Sequence, residues 1–321
     1  MNDDDDGLLC VYVCATKGFT YATEAQARSV LKALASEIST KDRVKEVRFI
    51  LVGLPNAGEL LKLLKFQRHM TVELDVEILP FEADPSAERY KNEFQLYIAQ
   101  MRQMAFDRAA QLGAKWLWGL DADVLPKPNS LRCMLDMIEF DDGYYDVAFC
   151  PYPSQGGGSF MGGRGTPQET ISPDFYEGEC EVSAAMLKKR DALQKKLGGK
   201  AVAGPARKKA IEEVKEIQKK IRSAKPKFKN VFAANAVEWR KRGWLDVAYP
   251  AIGKGAVVPL DWCGSGCTLM SRKAYLLGDW GGYDGEGTED LFLIWRRWHP
   301  NGVKIAGLPH CPSDHIIRAP G

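Results

Sequence analysis

Two aspartates, Asp121 and Asp123, close the apolar run Trp116-Leu117-Trp118-Gly119-Leu120. Carboxylates at i and i+2 beyond a buried strand are hard oxygen donors that suit Mg²⁺ or Mn²⁺. Such ions commonly bind substrate phosphates as well. In an open α/β sheet, ligands sit at the carboxyl ends of the strands. The other reading of the pair is a loop in which Asp121 caps the next turn and Asp123 is solvated. A second acidic pair, Glu289-Asp290, follows Thr288. It reads as a capped helix start with acids in its first turn. Late in the chain, His310 and His315 follow the apolar stretch Val303 to Ala306.

These groups need elements to carry them. Leu8 to Ala15 is a nearly continuous apolar run and predicts a central parallel strand. Ala22 to Ile38 predicts a helix, with Ala27, Val30, Leu31, Leu34 and Ile38 on one face. Val47 to Val52 and Val72 to Leu79 predict strands, and Leu60 to Phe66 a short helix. Pro85 to Gly113 predicts a long helix, and Lys115 to Leu120 the strand that feeds the two aspartates. Leu131 to Phe140 reads as a helix, Asp146 to Cys150 as a strand, Leu291 to Trp298 as a helix and Val303 to Ala306 as a short strand. Alternation of this kind predicts an α/β fold with a mostly parallel sheet covered on both faces. No Gly-x-Gly-x-x-Gly follows the first strand and there is no Gly-Lys-Ser/Thr, which disfavours dinucleotide and P-loop enzymes.

The organisation predicted is an acidic, disordered N-terminus over 1–7, a ligand-binding half over 8–150, a mobile Gly-rich loop over 151–180, a basic helical hairpin inserted over 181–230, and a half over 231–321 that completes the first domain. The hairpin stands out by charge. Lys188 to Lys229 holds sixteen Lys/Arg and four Asp/Glu, a net +12 in a chain whose formal charge is +2, so the remainder carries −10. Ala210, Val214, Ile217 and Ile221 supply an apolar stripe. Lys188, Lys189, Arg190, Arg207, Lys208 and Lys209 then lie on outer faces. They form either a solvated surface or a contact for an anionic polymer, nucleic acid being the simplest.

At 45% apolar and 27% charged residues the chain reads as an ordinary globular protein. No apolar stretch approaches the roughly 20 residues that span a bilayer. The acidic Asp3 to Asp6 opening is the opposite of a signal peptide. The eight cysteines show no zinc-type pair spacing and read as free thiols. A cytoplasmic location follows as the expectation, the host cytoplasm if the chain is viral.

Taken in order, the strand ending in Asp121-Ala122-Asp123, the Gly-rich segment Trp262 to Met270, Thr288-Glu289-Asp290 and His315 resemble the GT-A-fold nucleotide-sugar glycosyltransferases, especially the inverting family 2. Arg102, Ala105 and Ala109 resemble that family's Arg-x-x-Ala helix. The resemblance covers about 8–150 and 257–318 and leaves out the basic hairpin. It implies a Rossmann-type sandwich that binds a nucleotide sugar, a UDP-sugar foremost, with Mn²⁺ or Mg²⁺. Ala15 and Thr16 would border the nucleobase, and Arg102 would face the nucleotide. Asp121 would contact ribose or the metal-bound donor, with Gly264 and Ser265 close to the donor. Asp123 would ligate the metal, and His315, with His310 as the alternative, would complete its shell. Asp290 would be the general base, beside Glu289. Arg297-Trp298 follows Asp290 too closely for the Gln-x-x-Arg-Trp motif of processive synthases.

The acceptor stays open. The basic insertion suits a hydroxymethylated base in DNA, which resembles what some bacteriophages glycosylate and would require base flipping. Alternatives are a glycan or lipopolysaccharide precursor, or a non-catalytic nucleic-acid-binding protein on an α/β scaffold. A sugar nucleotidyltransferase would want a Gly-rich basic loop after the first strand, and Lys17-Gly18-Phe19 is a poor version of one.

Overall fold

The apolar runs become strands where β-branched and aromatic residues cluster, and the computed structural model shows how they are ordered. It describes residues 7–14, 23–39, 43–53, 72–81, 92–139, 143–153, 161–163, 170–173, 189, 192–193, 205–223, 228–231, 257–285 and 288–316. The chain divides into two compact units, residues 1–166 with 234–321, and residues 167–233.

The first unit begins with β1 (Leu8–Cys14), α1 (Thr23–Ile38), β2 (Glu46–Val52), β3 (Glu73–Leu79) and α2 (Asn92–Leu112). It continues with β4 (Trp116–Asp121), β5 (Val124–Leu125), α3 (Ser130–Glu139), β6 (Val147–Phe149) and β7 (Gly162–Gly163). The second unit contributes β8 (Thr170–Pro173), α4 (Pro205–Ser223) and β9 (Phe228–Val231). The first unit then resumes with β10 (Val258–Leu260), β11 (Trp262–Cys263), β12 (Cys267–Ser271), α5 (Arg272–Leu276), α6 (Glu289–Leu293), β13 (Ile305–Gly307) and β14 (Asp314–His315).

Eight strands form one mixed sheet in the order β10-β13-β6-β12-β4-β1-β2-β3. The pairs among β1, β2, β3 and β4 are parallel, as is β13 with β6. The sequence expectation of one apolar segment over Leu260 to Met270 gives way to three short strands. The last, β12, runs antiparallel between β4 and β6. Small residues at 264–266 allow the chain to reverse there and enter the sheet beside β4.

The core follows the predicted faces. Leu9, Val11, Trp116, Trp118 and Phe149 are buried in the sheet, and Ala27, Val30, Leu31 and Leu34 lie on the inner side of α1. Each large apolar side chain removed from water contributes roughly 1.5–3 kcal/mol. Helix α1 packs with α3, while α2 lies on β1 and β2 and packs with α5 and α6. Helix α2 ends at Gly113, whose φ of 73° is left-handed and costs a glycine little. The Leu291 to Trp298 helix begins at Glu289 and widens into one π-helical turn over Ile294–Trp298. The predicted helix at Leu60 to Phe66 and the start of the long helix, 85–91, lie outside the described residues.

The second unit contains the antiparallel pair β8–β9, joined with Thr170 opposite Val231. Strand β8 falls inside 151–180, which the glycine content marked as irregular; its β-branched Thr170 and Ile171 find a ladder on β9 that local composition does not reveal. In α4, Pro205 occupies the first turn, Val214 and Ile217 are buried, and Arg207, Lys208 and Lys209 are exposed. Lys189 is exposed and ion-paired with Glu213, and Lys188 and Arg190 lie outside the described residues. No helix among the described residues is long and apolar enough to cross a membrane.

Candidate active site

Asp121 ends β4 at the carboxyl edge of the sheet. Its backbone N–H donates to Gly266 O at 3.0 Å, and its carbonyl accepts from Gln26 Nε2. Close approach of β12 is possible because position 266 has no side chain. A Cβ there would stand 2.6 Å from Tyr152 and 2.7 Å from Asp121 Oδ2. Instead, Gly266 N–H donates to Tyr152 Oη at 3.0 Å, which holds the phenol over the same site.

Arg102, on α2, is only 3% exposed. Its Nη2 donates to Asp121 Oδ1 at 3.0 Å, while Nη1 donates to Glu289 Oε1 and to Asp290 Oδ1. Ser265 Oγ also donates to Asp290 Oδ1. The acidic pair is carried by the N-terminal turn of α6, where Thr288 takes the cap position without a side-chain capping bond. Trp280 secures that turn: its Nε1 donates to Glu289 O at 3.0 Å, and its ring meets Phe106 of α2 edge-on at 5.1 Å. Three elements distant in sequence thus meet at one guanidinium.

Asp123, two residues past the strand, is 4% exposed. The ribbon β5–β14 sets His315 opposite Val124, and Ile316 N–H donates to Asp123 O at 2.8 Å. His315 Nε2 lies 3.3 Å from Asp123 Oδ2, and Nδ1 lies 2.7 Å from Pro153 O. A carbonyl can only accept, so Nδ1 carries the proton. In the neutral ring the lone pair of Nε2 then points toward a carboxylate oxygen. That arrangement is stable with a cation between the two donors, or with a second proton on the imidazole.

Charge supports the same reading. Asp121, Glu289 and Asp290 face one arginine while Asp123 faces His315, and buried charges must be paired or bind metal. Burial first, then Asp123 and Asp290, push Asp121 up to about 6 against the opposing pull of Arg102. Glu289 is pushed up to about 8 by burial and by Asp290, again against Arg102. For Arg102, burial opposes the charge, but Asp290, Glu289 and Asp121 outweigh it and keep the guanidinium protonated. Burial likewise opposes charging His315, and the contacts to Asp123 and Pro153 outweigh it, raising the imidazole above its usual value.

Several sequence expectations are redistributed by this geometry. Arg102, expected to face a nucleotide, donates to three carboxylates, Asp121, Glu289 and Asp290. Asp121, expected among the metal ligands, turns Oδ1 to Arg102; among the described residues it joins no group of three ligand atoms within 4.8 Å. Asp123 and His315 remain as a pair, which fits Mg²⁺ or Mn²⁺, since such ions take one or two protein carboxylates and fill the other positions with phosphate oxygens and water. His310, the alternative, lies beside Cys133 and Cys311. Gly264 and Ser265 do border the site, Ser265 through Asp290 rather than through a donor. Ala15 and Thr16 lie outside the described residues. Gln26, Tyr152 and the Pro153 carbonyl were not found by sequence reasoning. The only available signal was that Tyr152 and Pro153 follow a strand at the sheet's carboxyl edge.

No family model matches the chain, and no curated protein sequence matches it. Solved structures are similar to the chain, among them the following three. A structure of GalNAc-T7 with UDP, GalNAc and Mn²⁺ is 14% identical, over 100% of this chain and 45% of that one, with a TM-score of 0.44. Core-mannan synthase A from Aspergillus fumigatus, in an Mn/GDP form, is 11% identical over 97% and 74%, with a TM-score of 0.41. The mannosyltransferase PcManGT from Pyrobaculum calidifontis, with GDP-Man and Mn²⁺, is 12% identical over 44% and 34%, with a TM-score of 0.29. The chain therefore spans less than half the length of the GalNAc-T7 structure.

Proposed function

We propose that the protein is a metal-dependent glycosyltransferase that moves a sugar from a nucleotide sugar, a UDP-sugar foremost, to an acceptor hydroxyl with inversion. The observation that carries this reading is the Asp123–His315 pair, its imidazole oriented by Pro153, beside a second carboxylate cluster organised by Arg102.

Asp123 Oδ2 and His315 Nε2 would hold Mn²⁺ or Mg²⁺. The ion, when bound, neutralises charge developing on the diphosphate leaving group. Asp290 accepts the proton of the attacking hydroxyl. Arg102 and Ser265 both donate to its Oδ1, which aims the carboxylate. Asp121 lines the donor side, fixed through its main chain by Gly266 and Gln26. Glu289 is buried behind Asp290 and sets the position of Arg102.

A thermal-shift series with UDP and UDP-sugars, with and without Mn²⁺, tests the reading, because a ligand that binds the folded form raises Tm. The expected result is an Mn²⁺-dependent rise and slow Mn²⁺-dependent hydrolysis of one nucleotide sugar, both abolished by Asp123→Ala. Absence of any Mn²⁺-dependent shift across uridine, guanosine, cytidine and thymidine donors sinks it.

For the acceptor we propose an anionic polymer, DNA bearing hydroxymethylated bases. The supporting observation is the exposed cationic set Lys189, Arg207, Lys208 and Lys209 in the second unit. Binding to duplex DNA should weaken steeply with salt and with charge reversal of Arg207, Lys208 and Lys209. Equal, salt-insensitive affinity for DNA and neutral glycans would return the acceptor to the glycan class.

A further inference from the structure

A second group of donor atoms shares no residue with the carboxylate site. Cys133 on α3, and His310 and Cys311 in the turn after β13, bring two sulfurs and an imidazole nitrogen within 4.8 Å of one another. We propose that Cys133, His310 and Cys311 bind a thiophilic divalent cation, Zn²⁺ first, through two thiolates and one imidazole, with a fourth position open to water.

The donor set selects the metal class. Thiolate and imidazole suit Zn²⁺, whereas carboxylate and water suit Mg²⁺ and Mn²⁺. Zinc sits about 2.3 Å from sulfur and about 2.0 Å from nitrogen, so donors in a tetrahedron stand roughly 3.4–3.8 Å apart. Separations of up to 4.8 Å need closing by about 1 Å. Rotation of Cys133, a half-exposed residue on a helix surface, supplies that movement.

His310 gives an independent indication. Its Nδ1 is buried and makes no hydrogen bond. A buried polar atom without a partner is costly, and a metal bond at that nitrogen would satisfy it. Cys311 is held rigidly. Its N–H donates to Leu308 O at 3.0 Å, and Leu308 N–H donates in turn to Phe149 O at 2.9 Å. Asn129 Nδ2 donates to Cys311 Sγ at 3.5 Å, the kind of outer contact that stabilises a thiolate ligand. The Cys133 and Cys311 side chains share a hydrogen bond, whose proton a metal would displace.

The position suggests what the ion does. Ser313 N–H donates to Pro151 O at 2.8 Å, and His315 follows on β14. An ion at Cys311 would tie α3 to the segment that delivers His315 to Asp123. Its role is structural, and it does not depend on which reaction Asp123 and His315 serve.

The test is a Co²⁺ titration of the full-length, metal-stripped protein kept under thiol reductant, followed by absorption. A thiolate-to-cobalt charge-transfer band saturating at one equivalent, reversed by Zn²⁺, is expected. Cys133→Ser and His310→Ala should each weaken Co²⁺ binding by more than about a hundredfold, and Asp123→Ala should leave the band intact. Circular dichroism verifies that the variants fold; the wild-type spectrum decides the matter without them. No charge-transfer band in the wild type overturns the proposal, as does a band unchanged in folded Cys133→Ser, or a Cys133–Cys311 disulfide found by mass spectrometry under reductant. None of these results touches the Mn²⁺-dependent assay at Asp123, so the two readings fail separately.

Discussion

His310 and His315 lie on one stretch of chain and meet opposite chemistry. His315 is held by a carbonyl on one ring nitrogen and faces a carboxylate with the other. His310 faces two thiols and leaves a buried nitrogen unbonded. Imidazole serves hard and soft ions alike, so the neighbours decide which ion is preferred. The carboxylate site gathers excess negative charge around one arginine and suits an ion that also meets phosphate. The sulfur site offers its own nearly complete shell and suits an ion that stays.

The contrast can be broken experimentally. The largest effect should come from Asp290→Asn, which keeps the shape but removes the proposed proton acceptor. Turnover should fall about 10²- to 10⁴-fold while Mn²⁺ binding by calorimetry is unchanged; a small loss would move the base elsewhere. Arg102→Met comes next. It strands Asp121, Glu289 and Asp290 without their shared cation, and urea unfolding should show a loss of about 3–5 kcal/mol. A near-neutral result would mean that the carboxylates do not need an organiser. Asp123→Ala should remove Mn²⁺ binding in the same calorimetry and leave Co²⁺ uptake at Cys133 untouched. The sharper version is His315→Cys, which should exchange Mn²⁺ preference for Cd²⁺ preference in the same assay.

The smallest effect is on pH dependence. Glu289 and Asp121 are raised to about 8 and about 6, from ordinary values of 4.5 and 3.8. Each binds its proton more tightly when folded. Their contribution is therefore complete below the ordinary values and is lost as pH rises through the folded ones. Glu289→Gln removes part of that slope. Its Tm relative to wild type should improve from pH 4.5 to pH 8; a difference that stays flat would contradict the strained state of Glu289.

Much of the scaffold was legible in the residues. The runs at Leu8, Val47 and Trp116 became parallel strands because continuous apolar stretches must be covered on both faces. Asp121 and Asp123 stood at a strand end, and Glu289-Asp290 at a helix start, for equally local reasons. Pattern alone did not reveal β12 entering antiparallel beside β4, because a five-residue buried strand has no period that states its direction. The role of Arg102 was hidden too. A helical arginine looks the same from its neighbours whether it faces solvent or three carboxylates.

The amino-acid sequence by itself determined most strands and helices of the first unit and which of their ends carry acids, because periodicity and capping act over a few residues; it did not reveal β8 or β9. Only the tertiary structure decided that Asp123 meets His315, that Arg102 collects Asp121, Glu289 and Asp290, and that His310 turns to Cys133 and Cys311. Those meetings join residues far apart in the chain. Their energies come from charge and hydrogen bonding across space, which linear spacing does not encode.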